Sequence, residues 1–316
     1  MLPTISILMV TYNSRGHLPA CLNSISAETR VPYEIIIVDN ASHDDTVEQV
    51  RTNYPQIRLI ENKQNVGFAV AVNQAARVST GRYLLLLNPD TVVQQDAIDR
   101  LTAFLEANPV VGICAPRILS TAGRIRHNCF AFETPWSFFW FGVGVGPLHR
   151  VRDWMLRRND WDIAADTPQK VEAVTGAVLL VRRELFERLG GLDERFFMYC
   201  EDGDFCLRAR KAGSTAMLVP NAVVSHSGGA STPESSVRLN GMIGQHLLNS
   251  RYRYTQKYWG SGAMLALRLS YVLAGVIFII AGGLSFRHSI RHQLVQHGGL
   301  LLMTPTRSSL LPHYPR

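Results

Sequence analysis

Four short apolar runs, "TISILMV", "YEIIIVDN", "IRLIEN" and "RYLLLLNPD", fall within roughly the first ninety residues, each separated from the next by a helical or polar segment. Continuous apolar runs of this length suit strands buried on both faces, as in a parallel sheet. Between the first two, Leu18, Leu22 and Ile25 share one helical face. "HDDTVEQVRTNY" opens on acidic residues, as helices do, and a further helix is expected near residues 68–79. Alternating strand and helix implies right-handed crossovers and an α/β, Rossmann-like sheet with helices on both faces. Ligands of such sheets bind beyond the carboxyl ends of the strands. The polar residues there are Thr11, Tyr12 and Asn13, then Asp39 and Asn40, then Asn88 and Asp90. One such cluster is an ordinary turn or cap, but three on one sheet edge predict a site.

These residue types limit the chemistry. A carboxylate at a buried strand end, Asp90, suits a divalent cation held beside a diphosphate. Mg²⁺ takes few protein oxygens and completes its shell with phosphate and water. Mn²⁺ accepts nitrogen as well, which makes His226 in "VVSHSGG" a candidate ligand, although a lone His there also reads as a hydrogen-bonded loop residue. Asp39 is placed to accept a hydrogen bond from a pyrimidine N–H. Asn65, Gly67 and Asn73 in "NKQNVGFAVAVNQA" would bring a helix N-terminus to phosphate. There is no G-x-G-x-x-G and no Walker loop, so dinucleotide and P-loop readings fall away. "FFMYCEDGDF" packs Glu201, Asp202 and Asp204 into four positions. Residue type alone leaves a metal cluster, a proton-transfer site and an acidic helix start all open.

The rest of the chain breaks this rhythm. "FAFETPWSFFWFGVGVGP" and "HRVRDWMLRR" form an aromatic and basic insertion over 119–170, either a lid, an amphipathic contact surface, or a loop packed on the core. "TAMLVPNAVVSHSGG" reads as two short strands ending at His226. From Leu269 to Phe286 no residue is charged, with Arg251, Arg253, Lys257 and Arg268 before the run and Arg287, His288, Arg291 and His292 after it. Basic residues on both flanks favour a re-entrant or interfacial helix at an anionic membrane face over a simple span, with a core helix or a dimer contact as the plainer readings. Composition agrees: charged residues make up 18% of the 316, below the usual quarter, and the net charge is +7. That balance suits nucleic acid, anionic lipid or phosphorylated substrates. The five cysteines are scattered with no C-x-x-C pair, which argues against a disulfide framework or structural zinc and for a reducing compartment. The N-terminal segment reads as a first strand, not a signal peptide.

Taken in order, "SILMVTYNS", "IIIVDNAS", "NVGFAVAVNQA", "YLLLLNPDT", "TGAVLLVRRELFERLGGLDERFFMYCEDGDFCLRARKAG" and "VVSHSGGAS" resemble the family-2 inverting glycosyltransferases, and within them the rhamnosyltransferase-like subgroup of bacterial polysaccharide assembly. The resemblance covers residue 4 to about 230. It implies a GT-A catalytic domain over 1–235: a nucleotide-binding half to 118, the insertion 119–170, an acceptor half 171–235, and then a membrane-associating helical region over 236–316. It implies Mg²⁺ or Mn²⁺ on Asp90 and His226, with Asn88 standing where many relatives carry a second metal carboxylate. It implies the donor nucleotide on Thr11–Asn13, Asp39, Asn40, Asn65, Gly67, Asn73 and Asn88. Asp202 becomes the catalytic base, with Glu201 the lesser candidate, and Asp204, Arg208 and Tyr199 orient acceptor or diphosphate. The implied reaction moves a sugar, rhamnose from dTDP-rhamnose or else a UDP- or GDP-linked sugar, onto a polyprenyl-diphosphate-linked saccharide at the cytoplasmic face of the inner membrane, with no nucleic-acid partner. A sugar nucleotidyltransferase and a non-catalytic sugar-binding module are the competing readings.

Overall fold

A computed structural model describes residues 3–143, 161–227, 241–284 and 288–302. The basic stretch "HRVRDWMLRR" and the glycines after Ser227 lie outside the described residues. The chain forms two compact units. The first comprises residues 1–132, 159–197 and 201–231; the second comprises 133–158, 198–200 and 232–316. The 119–170 insertion is therefore divided, its middle grouping with the C-terminal helices. The chain also leaves the first unit for only three residues, Met198–Cys200, immediately before Glu201.

The first unit is built on a ten-stranded sheet of order β3-β2-β1-β4-β11-β6-β12-β5, with β7 beside β6 and β9 beside β12. Its first half follows the expected rhythm: β1 (Ile5–Thr11), α1 (Leu18–Glu28), β2 (Tyr33–Asp39), α2 (Thr46–Asn53), β3 (Arg58–Glu61), α3 (Phe68–Val78) and β4 (Tyr83–Leu87). β1 runs parallel to both β2 and β4, in a register that sets Thr11 opposite Asp39. The chain then reverses through Asn88–Asp90 into β5 (Thr91–Gln94) and continues through α4 (Ala97–Ala107), β6 (Val111–Leu119), β7 (Ile125–Arg126) and β8 (Cys129–Phe130). The second half adds β9 (Gln169–Val171), β10 (Ala173–Val174), β11 (Val178–Arg182), α6 (Arg183–Arg188), α7 (Glu201–Lys211) and β12 (Thr215–His226). α5 (Pro135–Val143), α8 (Gly241–Leu284) and α9 (His288–Leu302) belong to the second unit.

Strand alternation builds two apolar layers. Ile5, Ile7 and Met9 of β1 face α1 and α4, while Leu8 joins Leu84 and Leu86 against α3 and α7. β12 is one strand where two were expected. Its ladder to β6 slips between Val219 and Val223, around Pro220, which has no N–H to donate. The irregularity absorbs the proline and the strand runs on to His226.

In the second unit α5 turns Phe138 inward and leaves Trp136 54% exposed. Phe138 is fully buried, 5.7 Å from the Tyr254 ring centre and 5.6 Å below the Arg251 guanidinium. Gly142 lies so close to Tyr271 that an added Cβ would stand 2.1 Å from the ring. The Tyr271 hydroxyl donates to the Phe138 carbonyl. Arg251, expected as an exposed basic flank, is thus buried in this cluster, and the flanking positive charge is smaller than the sequence suggested. α8 breaks at Gly260, where φ is 83°, a conformation glycine adopts without strain.

Candidate active site

Topology collects the expected residues on one edge of the sheet. β1, β2 and β4 end there together. β11, antiparallel to β4, begins there, and the Asn88 amide donates to the Ala177 carbonyl across 2.9 Å. β12 ends there, because it parallels β6, which is antiparallel to β11. The edge therefore carries Thr11, Asp39, Asn88, Asp90, Gly176 and His226.

Asp90 and His226 meet directly, with Nε2 3.0 Å from Oδ1. The strand pairing explains this, since His226 lies opposite Thr91 in the β5–β12 ladder. Ser227 adds its amide, at 3.0 Å, and its hydroxyl, at 2.8 Å, to the Asp90 carbonyl. Burial pushes the Asp90 carboxyl up, but the hydrogen bond and charge of His226, helped by the charge of His17, outweigh it and hold it below the usual carboxylate range. The donor set of one carboxylate and one imidazole fits a hard divalent ion that draws its remaining ligands from phosphate and water. Among the described residues no group of three or more His, Cys, Asp or Glu could hold a metal by itself. An ion bound here would complete its shell from phosphate or water.

Asp39 is buried, and its carboxylate is already engaged. Oδ1 accepts from Thr11 Oγ1 at 2.8 Å and Ser42 Oγ at 2.6 Å, and Oδ2 accepts from the Ser42 amide at 2.8 Å. A carboxylate offers about four acceptor positions, so one remains for an incoming N–H. Asn13, with φ of 51°, donates its amide to Ser42 Oγ and accepts the His43 amide on Oδ1. Tyr12 is left 49% exposed, edge-on to His43 at 6.5 Å.

Several expected ligands are engaged elsewhere. Asn40 is buried and bonded to Gly67 and Asn62. Asn65 accepts from the Gly67 amide. Gly67 has φ of 89°, and a Cβ there would fall 2.5 Å from the Phe197 carbonyl oxygen. The next amide, Phe68, donates to that same oxygen at 2.7 Å. The α3 N-terminus, expected to receive phosphate, thus receives a backbone carbonyl of the segment leading into Glu201. Asn73 binds both the amide and carbonyl of Leu192 at 2.9 Å, and Glu194 at 3.0 Å. Asp204 is fully buried and paired with Arg208 at 2.7 Å, while Arg208 donates to the carbonyls of Leu189 and Gly191. Asn73 and Arg208 converge on the glycine turn at 189–194, and Asp204 holds Arg208 from α7.

The two acidic neighbours divide by burial. Glu201 is buried, with Oε2 enclosed. Asp202 is half-buried and held by two amides, Gly176 to Oδ2 at 3.1 Å and Gly203 to Oδ1 at 2.8 Å. Burial pushes the Asp202 carboxyl above the usual carboxylate range, against the opposing pull of these amides. Before them, Tyr199 and Cys200 both have positive φ, 71° and 65°. For residues other than glycine that conformation costs about 1–2 kcal/mol each. Gly176 and Ser42 were not expected. A backbone amide has no residue signature, and Ser42 stands out only as a small polar residue near Asp39.

The topology is that of the GT-A glycosyltransferases. It is shared with GalNAc-T7 solved with UDP, GalNAc and Mn²⁺, at a TM-score of 0.58 and 17% identity over 82% of this chain and 48% of that one. It is shared also with the mannosyltransferase PcManGT of Pyrobaculum calidifontis solved with GDP-Man and Mn²⁺, at a TM-score of 0.52 and 18% identity over 96% and 86% of the two chains. The present chain thus spans about half the length of GalNAc-T7. The sequence narrows the class: residues 6–190 match glycosyl transferase family 2, and the chain belongs to that family. The N-acetylglucosaminyl-diphospho-decaprenol L-rhamnosyltransferase of Mycobacterium tuberculosis is 30% identical over 73% of this chain and 78% of its own length. The rhamnosyltransferase WbbL of Escherichia coli is 26% identical over 68% and 80%.

Proposed function

We propose that this glycosyltransferase moves L-rhamnose from dTDP-rhamnose to a polyprenyl-diphosphate-linked saccharide, with inversion at the anomeric carbon. The observation that carries the reaction type is the half-buried Asp202 carboxylate, held by the Gly176 and Gly203 amides at the sheet edge that also carries Asp90 and His226. The sugar is supported by the likeness to both rhamnosyltransferases, and the lipid-linked acceptor by the likeness to the mycobacterial one. Asp202 accepts the proton of the acceptor hydroxyl. The freed oxygen pair forms the new bond to the anomeric carbon, while the bond to the nucleoside diphosphate breaks on the opposite side and its electrons leave with the diphosphate. One carboxylate suffices, because a diphosphate needs no protonation to depart. Asp39 takes the pyrimidine N–H through its remaining acceptor position, and Tyr12 offers its exposed ring to the base. Asp90 and His226 would hold a Mg²⁺ or Mn²⁺ ion, which when bound supplies charge neutralisation to the leaving group. Asn73, Asp204 and Arg208 serve by fixing the 189–194 turn beside α3 and α7.

The second unit provides the membrane contact. Among the described residues one helix, within α8, is long and apolar enough to cross a bilayer. Beyond Gly260, Leu265, Leu269, Leu273, Ile277, Ile280 and Leu284 recur at helical spacing, and each is more than half exposed. The opposite face, with Leu267, Tyr271, Ala274 and Phe278, is buried. A helix apolar all round faces protein on one side and lipid on the other. α9, which packs on α8, spans only about 22 Å at 1.5 Å per residue, short of the roughly 30 Å hydrocarbon core. Its sequence opens on His288, Arg291 and His292. The pair is therefore suited to lie in the plane of the cytoplasmic leaflet.

Incubation of the purified chain with dTDP-rhamnose, Mg²⁺ or Mn²⁺ and N-acetylglucosaminyl-diphospho-polyprenol tests the reading. A disaccharide-lipid with inverted linkage is expected. Turnover with UDP- or GDP-sugars alone would overturn the donor assignment, and release of pyrophosphate would overturn the reaction type.

A further inference from the structure

The three residues that the chain gives to its second unit are the ones that lead into the base. Met198 is gripped from α8: Ser250, 2% exposed, donates through Oγ to the Met198 carbonyl at 2.7 Å. Tyr199 and Cys200 then turn the chain with two consecutive positive φ angles, a conformation ordinarily taken by Gly, Asn or Asp. α7 starts at the following residue, and its second residue is Asp202. A tight turn built from unsuited residues persists only where its surroundings hold it. Ser250 sits in the most polar and aromatic part of α8, beside buried Arg251, Tyr252, Tyr254 and Thr255, so its hydroxyl is presented from a rigid support.

We propose that Ser250 is a positioning residue for Asp202: its bond to Met198 holds the left-handed Tyr199–Cys200 pair, and that pair sets the first turn of α7 from which the carboxylate projects. The inference rests on Asp202 as the base. It gives a reason for Tyr and Cys to stand where Gly or Asn would fit better, since a turn that needs to be held is a turn whose position is set by whatever holds it.

Steady-state kinetics of the full chain with dTDP-rhamnose, Mg²⁺ or Mn²⁺ and N-acetylglucosaminyl-diphospho-polyprenol test it. Ser250→Ala is expected to lower kcat about tenfold while KM for the donor stays within about twofold, because a small misplacement of the base affects the transition state and not donor binding. Adding Cys200→Gly to Ser250→Ala is expected to restore most of kcat, since glycine adopts positive φ without being held. Wild-type kcat in Ser250→Ala overturns the inference. So does a loss that Cys200→Gly fails to repair, or one matched by an equal rise in KM. Should Ser250→Ala not fold, Ser250→Cys, which keeps the volume and weakens the donor, is measured with the same expectations. Asp202→Asn distinguishes the two levels: wild-type turnover there overturns the base itself, whereas an inactive Asp202→Asn beside a fully active Ser250→Ala overturns only the positioning role.

Discussion

The Gly176 amide donates to Asp202 across 3.1 Å and joins the start of β11 to the start of α7. Together with the Gly203 amide it fixes the direction of a carboxylate that burial would otherwise drive to its neutral form. Its ionised form is therefore less favourable in the folded protein than in the unfolded chain, and at neutral pH the group subtracts from stability. Asp202→Asn should abolish transfer, leave binding of dTDP-rhamnose within about threefold, and raise the melting temperature by about 2–4 °C for each kcal/mol released. Calorimetry on the variant with and without donor checks both halves. A lower melting temperature would contradict the burial argument.

The pH profile follows from the same shift. A base works only when ionised, so kcat should fall as pH drops through the folded pKa of Asp202, which lies above the ordinary carboxylate value. Asp90 is shifted the other way and stays ionised to lower pH. The acid limb should accordingly show a slope of one proton and should be displaced upward from a free carboxylate. A limb at or below the usual Asp range would assign the titration to another group.

His226 is expected to matter through the ion. On the proposed ligand set, His226→Ala would remove one of two protein ligands and leave Asp90 with the substrate. The Mn²⁺ concentration for half-maximal rate should rise about 10- to 100-fold, with recovery of kcat at saturating metal. A metal titration of wild type and variant reads this directly. An unchanged half-saturation point would remove His226 from the ligand set.

The edge of the sheet was legible because side-chain type and strand period both bear on it: Thr11, Asp39, Asn88 and Asp90 each end or follow an apolar run, and parallel pairing must bring such ends together. The partners that hold the site were not. Gly176 and Gly203 act through backbone amides, which any residue possesses. Asn73 lies 119 residues from Leu192, so its engagement with the 189–194 turn depends on a contact that local pattern does not reach. Asp204 and Arg208 read as residues orienting acceptor or diphosphate, and their pairing with Asp204 buried shows only in the fold. Gly67 shows the same limit. The sequence offers a glycine before a helix, and only the structure shows that its missing Cβ makes room for the Phe197 carbonyl. A charged residue near an apolar run suggests a membrane flank, whereas Arg251 is buried over the Phe138 ring.

The exposed stripe of α8 gives the last prediction. Leu269 and Leu273 lie one turn apart on its open face, and neither contributes to the buried side of the helix. Transfer of each leucine from water to an apolar phase is worth about 1.5–3 kcal/mol. Replacing both by Asp removes that gain and places negative charge against anionic headgroups. Partition of the double variant onto vesicles containing anionic lipid should fall by roughly 100-fold or more. Its melting temperature should hold, because the replaced side chains are already in water when the protein is free. Turnover of a short-chain, water-soluble acceptor should also hold, while turnover of the long-chain lipid acceptor in vesicles should fall in step with binding. Sedimentation with vesicles and the two assays side by side separate these effects. Unchanged partition would place the membrane contact elsewhere on the chain.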